Sequence, residues 1–510
     1  MKNQKKDLPV KTRSTMHIPN AVSAVRLSLA AAVLFACVLS GCSKDPDPAA
    51  SHAFVLDKPG EASDQNDTAS AGNETADTEA TDTMTVSTPT EPPVIVMNTE
   101  GDITYDPIDL EDFEEDEYVW DFDTRIFSKE TKSPDEAVFT FAGDILFAEG
   151  YSITNKLKAV GNDINQVIKP EVMSGLKDCD IFMINNEFPY SDRGTPKAGK
   201  TFTFRAKPES VKYLQEMETD IVSLANNHAY DYGEEALLDT LDILRDANIP
   251  FVGAGKNITE AMQPVYYKVN KKTIAITSAT QIERTPNPES KEATDTTAGV
   301  LRTLDPAKMV QCIKTAEENS NFVIVYVHWG SENTDLVEAS QRELAKAYVE
   351  AGADLIIGDH PHCLQGADYV DGVPVFYSLG NFWFNSRRVE TGYLKLILNT
   401  TKDDCSIKEL SFVPCVQNGC ITSLATDAEK EKILSYLQGV SDHATISSEG
   451  VIEYSEENHN TQNGQNTSPS KAYVRTTQEE EPTTDPALDP NFLLQLMQQQ
   501  QMTEQAVPAQ

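Results

Sequence analysis

Positive charge is scarce in this chain: 42 Lys and Arg stand against 80 Asp and Glu, a formal net charge of −38 at pH 7. Nucleic acid is excluded as a partner, because phosphate binding needs a basic footprint. Paired cysteines are also missing, since none of the eight stands in a CxxC pair, which removes the usual thiolate zinc sites. Cys405, Cys415 and Cys420 are close enough in sequence for one disulfide, though nothing requires it. Long apolar runs are absent too. The stretch from Leu27 to Leu39 falls short of the roughly 20 residues that a membrane span needs.

That short run has a clear alternative use. Lys2, Lys5, Lys6, Lys11, Arg13 and Arg26 precede it, and Leu39-Ser40-Gly41-Cys42 follows. A basic stretch, an apolar core of about a dozen residues and small residues before a cut site mark a secretory signal. The last four residues resemble the bacterial lipobox, which implies lipidation of Cys42 at the outer face of the cell membrane. An uncleaved anchor helix is the other reading. Residues 43–133 are rich in Asp, Glu, Thr, Ser, Ala and Pro. Such a segment buries too little apolar surface to offset its ordering entropy, and reads as a disordered acidic linker. Its end, LEDFEEDEYVWDFD, interleaves acids with Phe113, Tyr118, Trp120 and Phe122. Those aromatics serve either a solvated linker or a patch that folds back. Residues 426–510 read as a partly helical segment followed by a disordered, Gln-rich tail with one apolar island near Leu493.

Between residues 134 and 425 the texture changes to short apolar runs alternating with helical patterns. AVFTFAG, IFMIN, IVSLAN, KTIAITSAT, FVIVYVHWG, DLIIGD and VPVFYSLGN predict buried strands. Residues 234–248, 305–320 and 337–353 predict helices, the first with Leu237, Leu241 and Leu244 on one face. Alternation of this kind indicates a layered α/β domain. Its length suits two packed sheets sharing one site.

Six of the predicted strands run into a ligand-type side chain: Asp144, Glu187, Asn227, His328, the Asp359-His360-Pro361-His362 segment and Asn381. In α/β folds the carboxyl ends of strands form the binding crevice. Four of the eight histidines lie at these ends. Asp, Glu, Asn and His together suit Zn²⁺, Mn²⁺ or Fe²⁺. Glu187 has two oxygens and can bridge a pair of cations, and such a pair activates water for displacement chemistry. That leaves His228, whose neighbour in sequence is itself a proposed ligand.

FAGDILF, NNEFPYS, FRAKPE, VSLANNHAYDYG, VHWGSE, IGDHPHCLQG and YSLGNF occur in that order over residues 137–385. This set resembles the CapA family of capsule-synthesis proteins, associated with poly-γ-glutamate and similar to calcineurin-like metallophosphoesterases. The resemblance implies a four-layer αββα sandwich with a dinuclear metal centre. It assigns Asp144, Glu187, Asn227, His328, His360 and His362 as metal ligands, His228 as the acid, and Asp231 as the carboxylate that orients it. There are departures. The phosphoesterases usually carry Asp-x-His where Asp144 is followed by Ile145 and Leu146, and Glu187 stands in place of an Asp. Asp359 stands where His is common, as an orienter of His360 or as added negative charge.

The stretch 191–212 is the one basic loop, with Arg193, Lys197, Lys200, Arg205, Lys207 and Lys212. Arg205 and Lys207 are the candidates for gripping an anionic substrate, Arg205 bidentately. Tyr190, Trp329, Phe382 and Trp383 belong either to the pocket wall or to the core. Three functions fit: a lipid-anchored, metal-dependent hydrolase-like protein acting on or assembling an anionic surface polymer such as poly-γ-glutamate; a metal-dependent phosphoesterase; or a non-catalytic subunit of a membrane-bound polymer synthase.

Overall fold

The structure, a computed structural model, describes residues 118–285 and 287–458. The signal segment, Cys42, most of the acidic linker and the island near Leu493 lie outside the described residues. One sheet runs, in spatial order, β1 (Trp120–Asp121), β2 (Ile126–Ser128), β8 (Val265–Val269), β9 (Lys272–Thr280), β11 (Phe322–His328), β12 (Leu355–Asp359), β14 (Val373–Ser378) and β13 (Gln365–Val370). The other runs β18 (Ile421–Leu424), β17 (Ser406–Asn418), β16 (Val389–Asn399), β3 (Glu136–Ile145), β4 (Ile181–Asn186), β5 (Ile221–Ser223) and β6 (Phe251–Val252), with β15 (Asn381–Trp383) also paired to β3. Two short pairs join β7 (Ala254–Gly255) to β10 (Gly299–Val300) and β19 (Ala444–Ile446) to β20 (Ile452–Tyr454). The helices are α1 (Ser152–Ala159), α2 (Pro170–Lys177), α3 (Lys212–Glu216), α4 (Glu234–Asp246), α5 (Ile258–Met262), α6 (Ala307–Glu318), α7 (Ala339–Glu350) and α8 (Asp427–Val440).

The central strands are apolar on both faces because both faces are covered. In β4, Ile181 and Met183 enter one cluster with Ile324 and Tyr326 of β11, so that cluster draws on both sheets. The alternate residues Phe182 and Ile184 pack with α1, α2, α3 and α4. On the other sheet, Val323, Val325 and Val327 of β11 pack with α5, α6 and α7. Each fully buried Leu, Ile or Val contributes roughly 1.5–3 kcal/mol, so these clusters dominate the stability. The sheets are also tied by polar bonds near the strand ends. Ser223 Oγ and Ser278 Oγ are 2.7 Å apart, and the Tyr326 hydroxyl lies 3.1 Å from the Ala142 carbonyl oxygen.

Every strand and helix predicted from the apolar pattern is present. The hairpin β16–β17, paired from Val389 opposite Gln417 to Asn399 opposite Ser406 with a register shift between Ile397 and Leu398, was not predicted. Folded structure also extends past both compositional boundaries. Before residue 134, Trp120 and Phe122 pack edge-on against Phe127, with ring centroids 5.1 and 5.2 Å away, so these aromatics do fold back. After residue 425, α8 opens with a Thr426–Glu429 capping box and places Ile433 and Leu437 in the inter-sheet cluster. No disulfide joins Cys405, Cys415 and Cys420.

Candidate metal centre

In each sheet the strands leading to the site run parallel, β3–β4–β5 in one and β9–β11–β12 in the other, so their carboxyl ends share one edge. Asp144 lies at the end of β3, Glu187 directly after β4, His328 at the end of β11, and His360 and His362 directly after β12. The turn after β12 is strained: His360 has φ 99 and His362 has φ 57, conformations costing on the order of 1–3 kcal/mol each. Such strain persists only where the surroundings enforce it, and here it turns two imidazoles into one site. A second constraint sits at the end of β3. Asp144 N donates to Gly380 O at 3.1 Å, and a Cβ on Gly143 would lie 1.9 Å from that same oxygen. Only glycine permits this approach.

Two groups of donor atoms result, each with all its atoms within 4.8 Å of one another: Asp144, Glu187 and His362, and Glu187, His328 and His360. Glu187 belongs to both, and both of its carboxylate oxygens are buried without a hydrogen-bond partner. A buried carboxylate left unanswered is costly, whereas cations on its two sides would satisfy it. Asn227 joins the second group, because its Oδ1 lies 2.8 Å from His328 Nε2. That same nitrogen is 3.1 Å from His360 Nδ1 and 3.6 Å from Glu187 Oε1. Four donors thus crowd one point with too few protons to link them all. The residues fit divalent cations.

Protonation reflects the crowding. Burial would raise the Asp144 carboxyl, but its hydrogen bond to His362 (3.0 Å) and the nearby imidazoles lower it to about 2. Burial opposes a charge on His362, yet Asp144 outweighs it and holds that ring above the ordinary range. Glu187 and Asp359 are pushed well above theirs, by burial and then by the Asp144 charge. Burial pushes His328 down to about 3, and His360 well below the usual value. Neutral imidazoles are the form that binds metal.

His228 stands beside this centre, its Nε2 4.0 Å from Glu187 Oε1. Its Nδ1 donates to Asp231 Oδ2 at 2.6 Å, and Asp231 is fully buried. Burial lowers the His228 pKa despite that carboxylate. Asp231 also accepts from Phe204 N at 2.7 Å and from Lys200 Nζ at 2.6 Å. Lys200 further bonds the Asn227 carbonyl and lies 3.3 Å from Glu283. Phe204 packs on the His228 ring at 4.1 Å and Phe384 on the His362 ring at 5.0 Å, so apolar walls flank both.

The candidate ligands and the His228–Asp231 pair therefore come together, whereas the two substrate candidates point elsewhere. Arg205 stacks on Tyr232 at 4.1 Å and donates to the Arg193 carbonyl, and Lys207 pairs with Asp192 at 2.6 Å on the surface. The basic residue of the loop that reaches the site is Lys200. Tyr190, Trp329, Phe382 and Trp383 are fully buried core residues. Asp359 does not orient the His360 ring; it accepts from the His360 backbone amide at 3.2 Å and contacts the Tyr326 hydroxyl at 2.8 Å. The Asn185-Asn186 and Asn226-Asn227 doublets were the overlooked signal. Asn185 donates to Asp144 at 2.7 Å, and Asn226 donates to Asn185 at 3.1 Å, pinning the ends of β3, β4 and β5 together. A separate group, Asp368, Asp442 and His443, also gathers metal-type donors, but Arg342 already sits 3.0 Å from Asp368.

Parallel strand ends, two carboxylate–imidazole groups and a shared, unanswered glutamate define an α/β protein whose centre is suited to divalent cations. Residues 138–386 match the family described as Bacterial capsule synthesis protein PGA_cap. PGA biosynthesis protein CapA of Bacillus subtilis (strain 168) is 33% identical over 270 residues, covering 52% of this chain and 68% of that one. Capsule biosynthesis protein CapA of Bacillus anthracis is 31% identical over 312 residues, covering 59% and 73%. A Mycobacterium tuberculosis (strain ATCC 25618 / H37Rv) protein named as a probable polyglutamine synthesis accessory protein is 27% identical over 208 residues, covering 40% and 55%. The chain belongs to the PGA_cap family of bacterial capsule synthesis proteins.

Proposed function

We propose that this chain acts in poly-γ-glutamate capsule synthesis through a two-cation centre that works on the anionic polymer, from the outer face of a bacterial membrane to which Cys42 is lipid-anchored. The observation that carries the reading is Glu187, buried with both oxygens unpartnered and shared by the two donor groups. Relatives named for PGA and capsule biosynthesis support the polymer. The three apolar clusters, one between the sheets and one under each set of helices, support a four-layer αββα domain.

Asp144, Glu187 and His362 would hold one cation, and Glu187, His328, His360 and Asn227 the other. Mn²⁺, Zn²⁺ or Fe²⁺ suits these donors and, when bound, supplies Lewis acidity and an activated water. The chain does the rest. His228 Nδ1–H is fixed on Asp231, which leaves Nε2 facing the centre; once Nε2 has taken a proton, the imidazolium would give it to a leaving group and return to the neutral Nδ1–H form that burial favours. Lys200 holds Asp231 from the side opposite His228. Phe204 and Phe384 keep water away from the two rings.

The test is metal content and turnover together. The full chain, loaded with Mn²⁺ and desalted, should retain two ions per chain and shorten poly-γ-glutamate or transfer its ends, with bis-p-nitrophenyl phosphate assayed alongside. Fewer than two ions per chain would sink the reading. Turnover of the phosphodiester alone would transfer it to phosphoester chemistry. Cys42→Ser should move the protein from the membrane fraction to the supernatant. A second reading, an accessory subunit without catalysis, is favoured by the name of the mycobacterial relative. It predicts unchanged polymer output in cells carrying His228→Ala.

A further inference from the structure

The two donor groups are unequal. Around His328, two imidazoles and the Glu187 carboxylate are joined by the Asn227 carboxamide oxygen, a neutral fourth donor. Around Asp144 there are two carboxylates and one imidazole, and no fourth His, Cys, Asp or Glu of the described residues joins that group; Asp359 stands against Asp144 but is engaged by the Tyr326 hydroxyl and the His360 amide. The chain immediately after Asp144 supplies none. Ile145 and Leu146 are fully buried in the apolar cluster beneath the helices. A cation bound there would carry two anionic ligands and one imidazole, with room for a neutral oxygen.

Asn381 is placed to provide it. β15 lies parallel to β3, and Asn381 is the register partner of Asp144. Residues paired across neighbouring strands project to the same face of a sheet, so the Asn381 side chain leaves on the side that Asp144 uses. The Asn381 side chain lies beside His362. Its Oδ1 is nevertheless buried and makes no hydrogen bond, and the residue is 2% exposed. A neutral buried carbonyl of this kind is costly unless something answers it. The position is firmly held. Phe382 and Trp383 follow directly in the core, with Trp383 Nε1 donating to Cys420 O at 3.0 Å, and Gly380 O accepts from Asp144 N.

We infer that Asn381 Oδ1 is a ligand of the Asp144–Glu187–His362 cation, the counterpart of Asn227 at the other one. This rests on the two-cation reading above and adds one residue to it. Packing alone does not call for a carboxamide oxygen here, since an apolar side chain would fill the same space without the polar cost. The His362 ring lies near Asn381, but no well-formed hydrogen bond reaches Oδ1.

The test is Mn²⁺ titration of the chelator-stripped full chain by calorimetry, with bound ion counted by elemental analysis, on wild type, Asn381→Ala and Asn381→Asp. Loss of residues that only support a ligand already weakens metal sites roughly 10–100-fold. Asn381→Ala should therefore keep one ion at wild-type affinity and bind the other at least about tenfold more weakly. Asn381→Asp, which restores an oxygen, should recover that second ion. Melting in excess EDTA reads the packing cost of Asn381→Ala apart from metal, and any fall there should not be accompanied by weaker binding of the His328-side ion. Two ions at unchanged affinity in Asn381→Ala would overturn the inference and leave the two-cation centre standing. A fall in EDTA melting temperature together with equal weakening of both sites would mean a packing role, and would overturn it too. Fewer than two ions in the wild type would remove the two-cation reading itself.

Discussion

His228 Nδ1 and Asp231 Oδ2 are 2.6 Å apart, and Lys200 Nζ lies 2.6 Å from the other oxygen of the same carboxylate. Asp231 is thus held between a ring it orients and an amine that balances its charge. His228 and Asp231 lie three residues apart in a single turn, closed by Asp231 N donating to His228 O at 3.2 Å.

If His228 is the proton donor, its loss should be read in rate and not in metal. His228→Ala should lower kcat by roughly 10²–10⁴ at matched Mn²⁺ content. Asp231→Asn keeps the size of the side chain but presents an amide to Nδ1, and should lower kcat in the same direction with two ions still bound. Parallel elemental analysis and initial rates check both. Metal loss in His228→Ala would make it a ligand instead.

Lys200 and Lys207 come from the same basic loop and predict different outcomes. Lys200 is mostly buried, and Asp231 beneath it is fully so. Lys200→Met strands part of that charge. Asp231 keeps Phe204 N and His228, which puts the cost at about 1–3 kcal/mol, below the loss of a sole partner. Lys207 pairs with an Asp192 that is itself exposed, so Lys207→Met should leave the urea midpoint where it was. Urea unfolding of both variants decides.

Metal affinity should rise with pH, and the sign follows from the ligands. Glu187 and His362 both hold their protons above their ordinary ranges in the metal-free chain, and a ligand must be deprotonated to bind. Protons are released on binding, and the competition eases as pH rises. His328, lowered to about 3, is neutral throughout and contributes none of this slope. Calorimetry with Mn²⁺ in two buffers of unlike ionisation enthalpy, at two pH values, measures the release. Glu187→Gln should bind less metal and release fewer protons.

The strand ends were readable because burial on both faces leaves a continuous apolar run, and a polar residue ending that run is conspicuous. Asp144, Glu187, Asn227, His328, His360 and His362 could all be found in that way. Loop geometry could not. Nothing in a run of basic residues says that Lys200 turns inward while Arg205 stacks on Tyr232, because that depends on how the loop returns to Ala206, whose N–H bonds Pro189 O at 2.9 Å. The β16–β17 hairpin was missed because its residues alternate between half-buried and buried and include Lys395, Lys408 and Glu409, which dilute the strand signal. The boundary near residue 134 was set by acidic composition, which hid the packing of Trp120 and Phe122 on Phe127.

Gly143 offers the sharpest check on how the fold makes the centre. Its hydrogen faces Gly380 O so closely that a methyl group would sit 1.9 Å from that oxygen, and the neighbour is backbone that cannot swing away. Gly143→Ala must therefore push β15 from β3, break the bond from Asp144 N to Gly380 O, and carry Asn381 away from Asp144. The cost should reach about 3 kcal/mol, the upper range for single substitutions, because strain and a lost backbone bond add. The metal readout separates this from simple destabilisation. Below the melting temperature, Gly143→Ala should bind the Asp144-side ion weakly and the His328-side ion normally, since Glu187, Asn227, His328 and His360 stand on other strand ends. Equal loss of both ions in a folded Gly143→Ala protein would mean that the two groups are not separately built.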